Sequence, residues 1–235
     1  MTNAPLAWIV GGSRGIGFAC AEALHREGYR IAISGRDSEM LTASAAKIDR
    51  SILAVVCDVT SEGSVQAAYR TIVDRFGAAP DVLLNSAGIS PWDTFSETSI
   101  DTFDAVLATN MRGLFLTARE VLRDMFARGS GTIVHMLSVA ALKGYKNGAA
   151  YVASKFAALG FTNALREEAR THGVSVISIF PGATETELWD ETERTQYHDR
   201  MMQPEDIAHA IVSALREPKR AVMEEIVLRP IQGDL

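Results

Sequence analysis

A chain of 235 residues, 47% hydrophobic and 22% charged, has the makeup of an ordinary globular protein with room for one large domain. Its net charge of −6 argues against a nucleic-acid surface, which needs a basic face. No apolar run reaches the length of a membrane span, and residues 1–5 lack the basic start of a signal peptide, so the expected location is the cytoplasm.

Residues 6–10 form a short apolar run, read as a buried strand. A glycine-rich loop follows from Gly11 to Gly17, and a helix over 18–27 is closed by Gly28. Ile31 and Ile33 alternate in a second strand, 29–34, and Asp37 or Ser38 caps a helix to about 49. The third strand, 52–57, runs into Asp58 and Val59, and a helix from Ser61 or Glu62 stops near Gly77. The fourth strand, 81–85, ends at Asn85, and Ser86-Ala87-Gly88 turns the chain. A mostly helical stretch, 99–128, is interrupted near Asn110 and Gly113. Strand five (132–137) precedes a long helix (149–172) that Gly173 ends, and strand six (174–180) stops at Pro181-Gly182. Residues 184–203 read as irregular or weakly helical, Pro204 starts a helix to about 216, and 222–228 makes a seventh strand.

Uniformly apolar strands joined by helices predict a parallel sheet covered on both faces. The right-handed crossover rule makes it doubly wound. No linker or repeat divides residues 1–235, so a single dinucleotide-binding and catalytic domain is expected.

The loop Gly11-Gly12-Ser13-Arg14-Gly15-Ile16-Gly17 lies between a strand and a helix. Glycines there let backbone N–H groups approach a pyrophosphate, and the helix N-terminus adds partial positive charge. At the end of strand two, Ser34-Gly35-Arg36 offers no carboxylate for a ribose 2′-hydroxyl. Arg36 and Arg14 suit a 2′-phosphate instead, which predicts NADP(H) over NAD(H). Asp58 is placed beside an adenine pocket.

Tyr151 and Lys155 are four residues apart, so both side chains lie on one helix face. A free phenol has a pKa of about 10, and a nearby ammonium is expected to pull it down into the range of acid–base work.

Together these residues resemble the short-chain dehydrogenase/reductase family. The signals run in order through nearly the whole chain: the glycine loop, Asp58-Val59, Asn85-Ser86-Ala87-Gly88, Asn110, Ser138, Tyr151-x-x-x-Lys155 and Pro181-Gly182. The resemblance implies an α/β fold of Rossmann type, a seven-stranded parallel sheet in the order 3-2-1-4-5-6-7. It implies that Ser138 polarises a substrate carbonyl and that Tyr151 exchanges a proton with its oxygen. Lys155 holds the nicotinamide ribose, and Asn110 bends its helix and positions a water in a proton relay. Gly11, Ser13, Arg14, Gly15, Ile16, Gly17, Arg36, Asp58, Val59, Asn85, Ala87, Gly88, Pro181, Gly182 and either Thr184 or Thr186 line the cofactor with Tyr151 and Lys155. Three features depart from the pattern: Val10 stands where threonine is frequent, Ser86 replaces a second asparagine, and residues 229–235 lack the frequent Asp-Gly-Gly ending.

The expected activity is NADPH-dependent interconversion of a carbonyl and an alcohol on a small molecule, with no metal. The alternatives are a sensor or scaffold without turnover, and an epimerase or dehydratase using the cofactor transiently. Residues 89–92, 139–150 and 185–203 are expected to line the substrate, with a lid around 184–203. Five of the nine residues from Glu185 to Glu193 are acidic and read as a solvated face. The family implies a homodimer or homotetramer, its long helices (99–128 and 149–172) pairing across a two-fold axis. His135, on strand five, reads as a packed residue.

Overall fold

The computed structural model describes residues 4–218 and 220–235. Its sheet has seven parallel strands in the order β3-β2-β1-β4-β5-β6-β7. These are β1 (Leu6–Val10), β2 (Arg30–Gly35), β3 (Leu53–Val56), β4 (Val82–Asn85), β5 (Gly131–Met136), β6 (Val174–Pro181) and β7 (Glu225–Leu228). The helices are α1 (Gly15–Arg26), α2 (Ser38–Ile48), α3 (Glu62–Phe76), α4 (Ile100–Leu107), α5 (Gly113–Arg128), α6 (Ala149–Arg170), α7 (Glu191–Tyr197) and α8 (Pro204–Leu215). Among the described residues no helix is long and apolar enough to cross a membrane.

Every residue of β1 is buried, because helices cover both faces of the sheet. Ala7 and Ile9 face a core shared with α1, α2 and α8, including Leu24, Leu41 and Ile211. Leu6, Trp8 and Val10 face the other core, with Val65 and Ile72 of α3, Val121 of α5 and Leu165 of α6. Trp8 donates its indole N–H to Ser34 Oγ at 2.9 Å, which satisfies the polar atom of a fully buried ring. On the first face α1 packs along α8, and the Nε of Arg216, just past α8, donates to Glu27 Oε2 at 3.0 Å.

Some expected boundaries shift for visible reasons. Helix α1 starts at Gly15 rather than 18, because the last glycines of the loop already form its first turn. The stretch expected over 99–128 is two α-helices joined by a wide π turn, Ala108–Arg112, centred on Asn110. Strand β7 begins at Glu225, where its pairing with Ser178 of β6 begins. Residues 184–203 contain α7 and a short 3-10 turn, His198–Arg200.

The chain order reverses at β1, which has β2 on one side and β4 on the other. In such a sheet a crevice opens at the carboxyl ends of those strands. The glycine loop, Asp58, Ala87 and Ser138 all follow strand ends on that edge.

Candidate active site

The glycine loop is folded as tightly as its sequence permits. Gly11 has φ of +80°, in the left-handed region, and a Cβ there would lie 2.6 Å from the Ala87 nitrogen. A Cβ at Gly17 would lie 2.1 Å from the Gly11 carbonyl oxygen. The Ser34 carbonyl accepts from Gly11 N at 2.7 Å and Gly12 N at 3.2 Å, so β2 holds the loop. Ser44 Oγ donates to the Ser13 carbonyl at 2.7 Å. Helix α1 has no side-chain cap and no acid in its first turn, which leaves an electropositive N-terminus facing the crevice. Ile16 lines this end of the crevice, as do Arg14 and Arg36, both exposed. Among the described residues neither guanidinium has an ion-pair partner.

Asp58 accepts from Thr60 N at 2.9 Å and Thr60 Oγ1 at 2.8 Å, both through Oδ1. Those bonds, backbone first, hold its carboxyl below the usual range, with a smaller pull from Arg36. Val59 is buried against Gly113, where a Cβ would lie 2.8 Å from its Cγ2. Ala87 and Gly88 line the crevice.

Asn85 does not reach it. Its Oδ1 accepts from Thr117 Oγ1 at 2.8 Å, beneath the crevice floor, and its Nδ2 is buried without a partner beside a small void of about 10 Å³. Strand alternation accounts for this: Asn85 is the last residue of β4 and turns its side chain toward α5. Asn110 is also under the floor. Its Oδ1 accepts from Ile89 N at 2.9 Å, and its Nδ2 donates to the Ile89 carbonyl at 2.8 Å and to Ser154 Oγ at 3.0 Å. The side chain therefore braces the Ile89 loop and α6, with both N–H bonds used and no contact to Lys155.

Ser138, Tyr151 and Lys155 line the same crevice. Ser138 Oγ accepts from Ala140 N at 3.0 Å, leaving the hydroxyl proton free to donate. Lys155 is buried and donates to the Met136 carbonyl at 2.9 Å, with its Nζ 5.6 Å from the centre of the Tyr151 ring. Burial lowers the lysine pKa to about 8. The tyrosine moves the opposite way from the expected one. Burial raises its pKa, the Ser138 hydroxyl opposes the rise, and the Tyr145 phenol adds to it. In this state the ammonium is turned to a carbonyl and the ring face, so desolvation decides the sign.

Pro181 and Gly182 follow β6, and Gly182 N donates to the Leu228 carbonyl at 2.8 Å. Thr184 spends its hydroxyl proton on the Gly182 carbonyl at 3.0 Å. Thr186 instead reaches the glycine loop, with its Cγ2 3.2 Å from where a Gly15 Cβ would stand. The 184–203 segment is closed at its base: Met202 N donates to the Ala183 carbonyl at 3.0 Å and Glu185 N to the Met202 carbonyl at 2.9 Å. The ring of His135 is fully buried, with Nδ1 2.9 Å from Thr162 Oγ1, and burial lowers its pKa to about 3.

The crevice encloses about 920 Å³. Its far end carries Trp92, edge-on to Tyr145 at 6.2 Å and tilted to Tyr151 at 5.9 Å, with Leu188, Trp189 and Tyr197 from the 184–203 segment. Sequence reasoning missed Asp234, which lines this end beside Arg200 of the expected 185–203 stretch. Asp234 accepts from Tyr145, 89 residues away, and no local pattern announces a contact of that separation.

Comparison with known proteins agrees with this fold. The family model described as short chain dehydrogenase matches residues 5–197. An uncharacterized oxidoreductase of Staphylococcus haemolyticus is 32% identical over 231 residues, covering 97% of this chain and 98% of that protein. Among solved structures, an alcohol dehydrogenase of the archaeon Thermococcus sibiricus, complexed with 5-hydroxy-NADP, superposes with a TM-score of 0.89 at 26% identity, covering 99% of each chain. A variant of the actinorhodin polyketide ketoreductase with NADPH gives a TM-score of 0.90 at 27% identity, covering 100% of this chain and 99% of that one.

Proposed function

From the premise that this chain belongs to the short-chain dehydrogenase family and is an oxidoreductase of Rossmann-type fold, we propose that it interconverts a carbonyl and an alcohol on a small molecule with NADP(H). The observation that carries the proposal is that Ser138, Tyr151 and Lys155 line one crevice together with the glycine loop.

The residues present fit a dinucleotide. Gly11 and Gly17 let the loop fold tightly against Ala87 and onto itself, the N-terminus of α1 is uncapped, and among the described residues Arg14 and Arg36 have no ion-pair partner beside it. The two arginines favour a 2′-phosphate, hence NADPH. Asp58, with Oδ2 free, accepts from an adenine amino group. Val59, Ala87 and Gly88 form the floor, and Pro181, Gly182 and Thr186 close over the nicotinamide end. Thr186 is preferred to Thr184, whose hydroxyl proton is already used. Asn85 and Asn110 support the floor from below rather than touch the cofactor.

A bound NADPH supplies the hydride for the carbonyl carbon. Ser138 donates its free hydroxyl proton as a hydrogen bond to the carbonyl oxygen. The Tyr151 phenol then gives its proton to that oxygen as negative charge develops there. A phenol pKa held up by burial keeps the group protonated at neutral pH, which suits reduction. Lys155, one helical turn away, holds the ribose and stands ready to return a proton to the phenolate. The segment 184–203 acts as a lid over the substrate, and residues 1–235 work as one domain in the cytoplasm. Phe115 of α5 and Phe156 of α6 remain exposed and support pairing of those helices in a homodimer or homotetramer; Leu114, Leu122, Phe126, Leu159 and Phe161 pack inward instead.

The test is Tyr151→Phe. NADPH oxidation with a panel of ketones, aldehydes and quinones is expected to fall at least about a thousandfold, while NADPH affinity stays within about twofold. Carbonyl reduction by the variant at the unaltered rate would exclude the assignment.

A further inference from the structure

The substrate end of the crevice carries an ionic cluster that the proposed reaction does not use. Asp234 Oδ2 lies 2.6 Å from Lys143 Nζ and accepts from the Tyr145 hydroxyl at 3.1 Å, while Oδ1 is held by Arg229 Nη1. The Asp234 carbonyl accepts from Arg200 Nη2 at 3.3 Å. Among the described residues Lys143 and Arg229 have no other acidic partner, and Arg200 has none. Glu187 and Glu193 line the same crevice without pairing to them. One carboxylate thus gathers two cations and a phenol, with Arg200 on the backbone carbonyl of the same residue, and the first three are a donor set that recognises a carboxylate or phosphate. The site is close to the proton donor: Tyr145 meets the edge of Trp92, which lies 5.9 Å from the Tyr151 ring.

We propose that Asp234 is a built-in occupant of an anion site at the substrate end of the crevice, and that it restricts the enzyme to uncharged carbonyl compounds. An incoming carboxylate finds Lys143, Arg229 and Tyr145 already bonded to a carboxylate and meets the charge of Asp234 itself. A flat, uncharged carbonyl compound lies against Trp92 without that opposition. The binding half stands on the cluster alone; the specificity half rests on the carbonyl-reduction reading above.

Calorimetry on the full chain tests the first half with benzoate and benzamide as probes. Asp234→Ala and Asp234→Asn are expected to bind benzoate at least about tenfold more tightly than the unaltered protein, with benzamide affinity unchanged. Adding Lys143→Ala and Arg229→Ala to the first variant is expected to erase the gain. Equal benzoate affinity in all these proteins, or none measurable in any, overturns the proposal. The second half is read from kcat/KM for 4-carboxybenzaldehyde relative to its methyl ester. That ratio is expected to rise about tenfold or more in Asp234→Ala. An unchanged ratio with both aldehydes reduced overturns the specificity claim. A benzoate gain with neither aldehyde reduced supports the anion site and counts against the carbonyl-reduction reading.

Discussion

Asn110 and Ser154 are joined by a 3.0 Å hydrogen bond that crosses from the π turn to α6. Ser154 Oγ in turn donates to the Tyr151 carbonyl at 2.7 Å, so an asparagine on one helix fixes the first turns of the helix that carries Tyr151 and Lys155. Asn110→Leu leaves the Ile89 backbone and Ser154 without their partners. The expected cost is about 2 kcal/mol in a urea melt, as for other buried unpaired groups. The expected kinetic signature is a kcat reduced about tenfold or more with NADPH affinity near that of the parent. If kcat and NADPH affinity fall together, the brace serves the fold alone.

Lys155 makes a prediction about pH and stability. Its folded pKa of about 8 is depressed from 10.5, so the unfolded chain holds the proton more tightly. The charged form is disfavoured in the fold, and the penalty is fully present below about pH 8. It fades as pH rises toward 10.5, and stability from this group rises over that window. The penalty at neutral pH is about 3 kcal/mol. Lys155→Met is therefore expected to raise the melting temperature of the cofactor-free protein at pH 7. The gap between variant and parent is expected to shrink from pH 8 to 10.5, as read by thermal melts across that range. A gap independent of pH would show that the charge is not the cause.

Arg36 sets cofactor choice if its free guanidinium meets a 2′-phosphate. Arg36→Asp is expected to lower the ratio of NADPH to NADH efficiency by about ten- to a hundredfold, the worth of a charge-assisted contact turned into a repulsion. Steady-state kinetics with the two cofactors decides it. An unchanged ratio means that the ribose end is read by other groups.

Gly148 makes room for the aromatic wall. A Cβ there would lie 2.6 Å from Trp92 Cζ3 and 3.1 Å from Cε3, so Gly148→Ala must push the indole aside. The expected result is a shift in tryptophan emission and a change of about tenfold in KM for the carbonyl substrate, with NADPH affinity unaffected. Identical emission and KM would mean that Trp92 moves freely and walls nothing.

Features of this molecule that are written locally are legible in its sequence. Strand order follows from the family resemblance, and the break at Asn110 follows from a polar residue and a glycine in an apolar helical stretch. The tight loop at Gly11 follows from glycine spacing. What escapes depends on which way a side chain turns and on what lies over it. Asn85, expected at the cofactor, sits under the floor, because its direction is set by the pleat of β4. Spacing places Lys155 beside Tyr151 but does not reveal that burial raises the phenol's pKa, with Ser138 and not the ammonium opposing the rise. Asp234 meets Tyr145 only through the folding of the whole chain.

The packing of α1 along α8 has a consequence for how the protein is made. Helix α1, which follows the glycine loop, is synthesised well before α8, yet its buried face, with Ala21 and Leu24, shares a core with Ile207 and Ile211. The two segments are about 190 residues apart in the chain, as Arg216 and Glu27 illustrate. At about 5–20 residues per second that is on the order of ten seconds or more of synthesis during which the part of this face that α8 covers has no native partner. Complete burial of that face is thus a late event in biosynthesis, and α1 of the nascent chain presents apolar surface until α8 arrives.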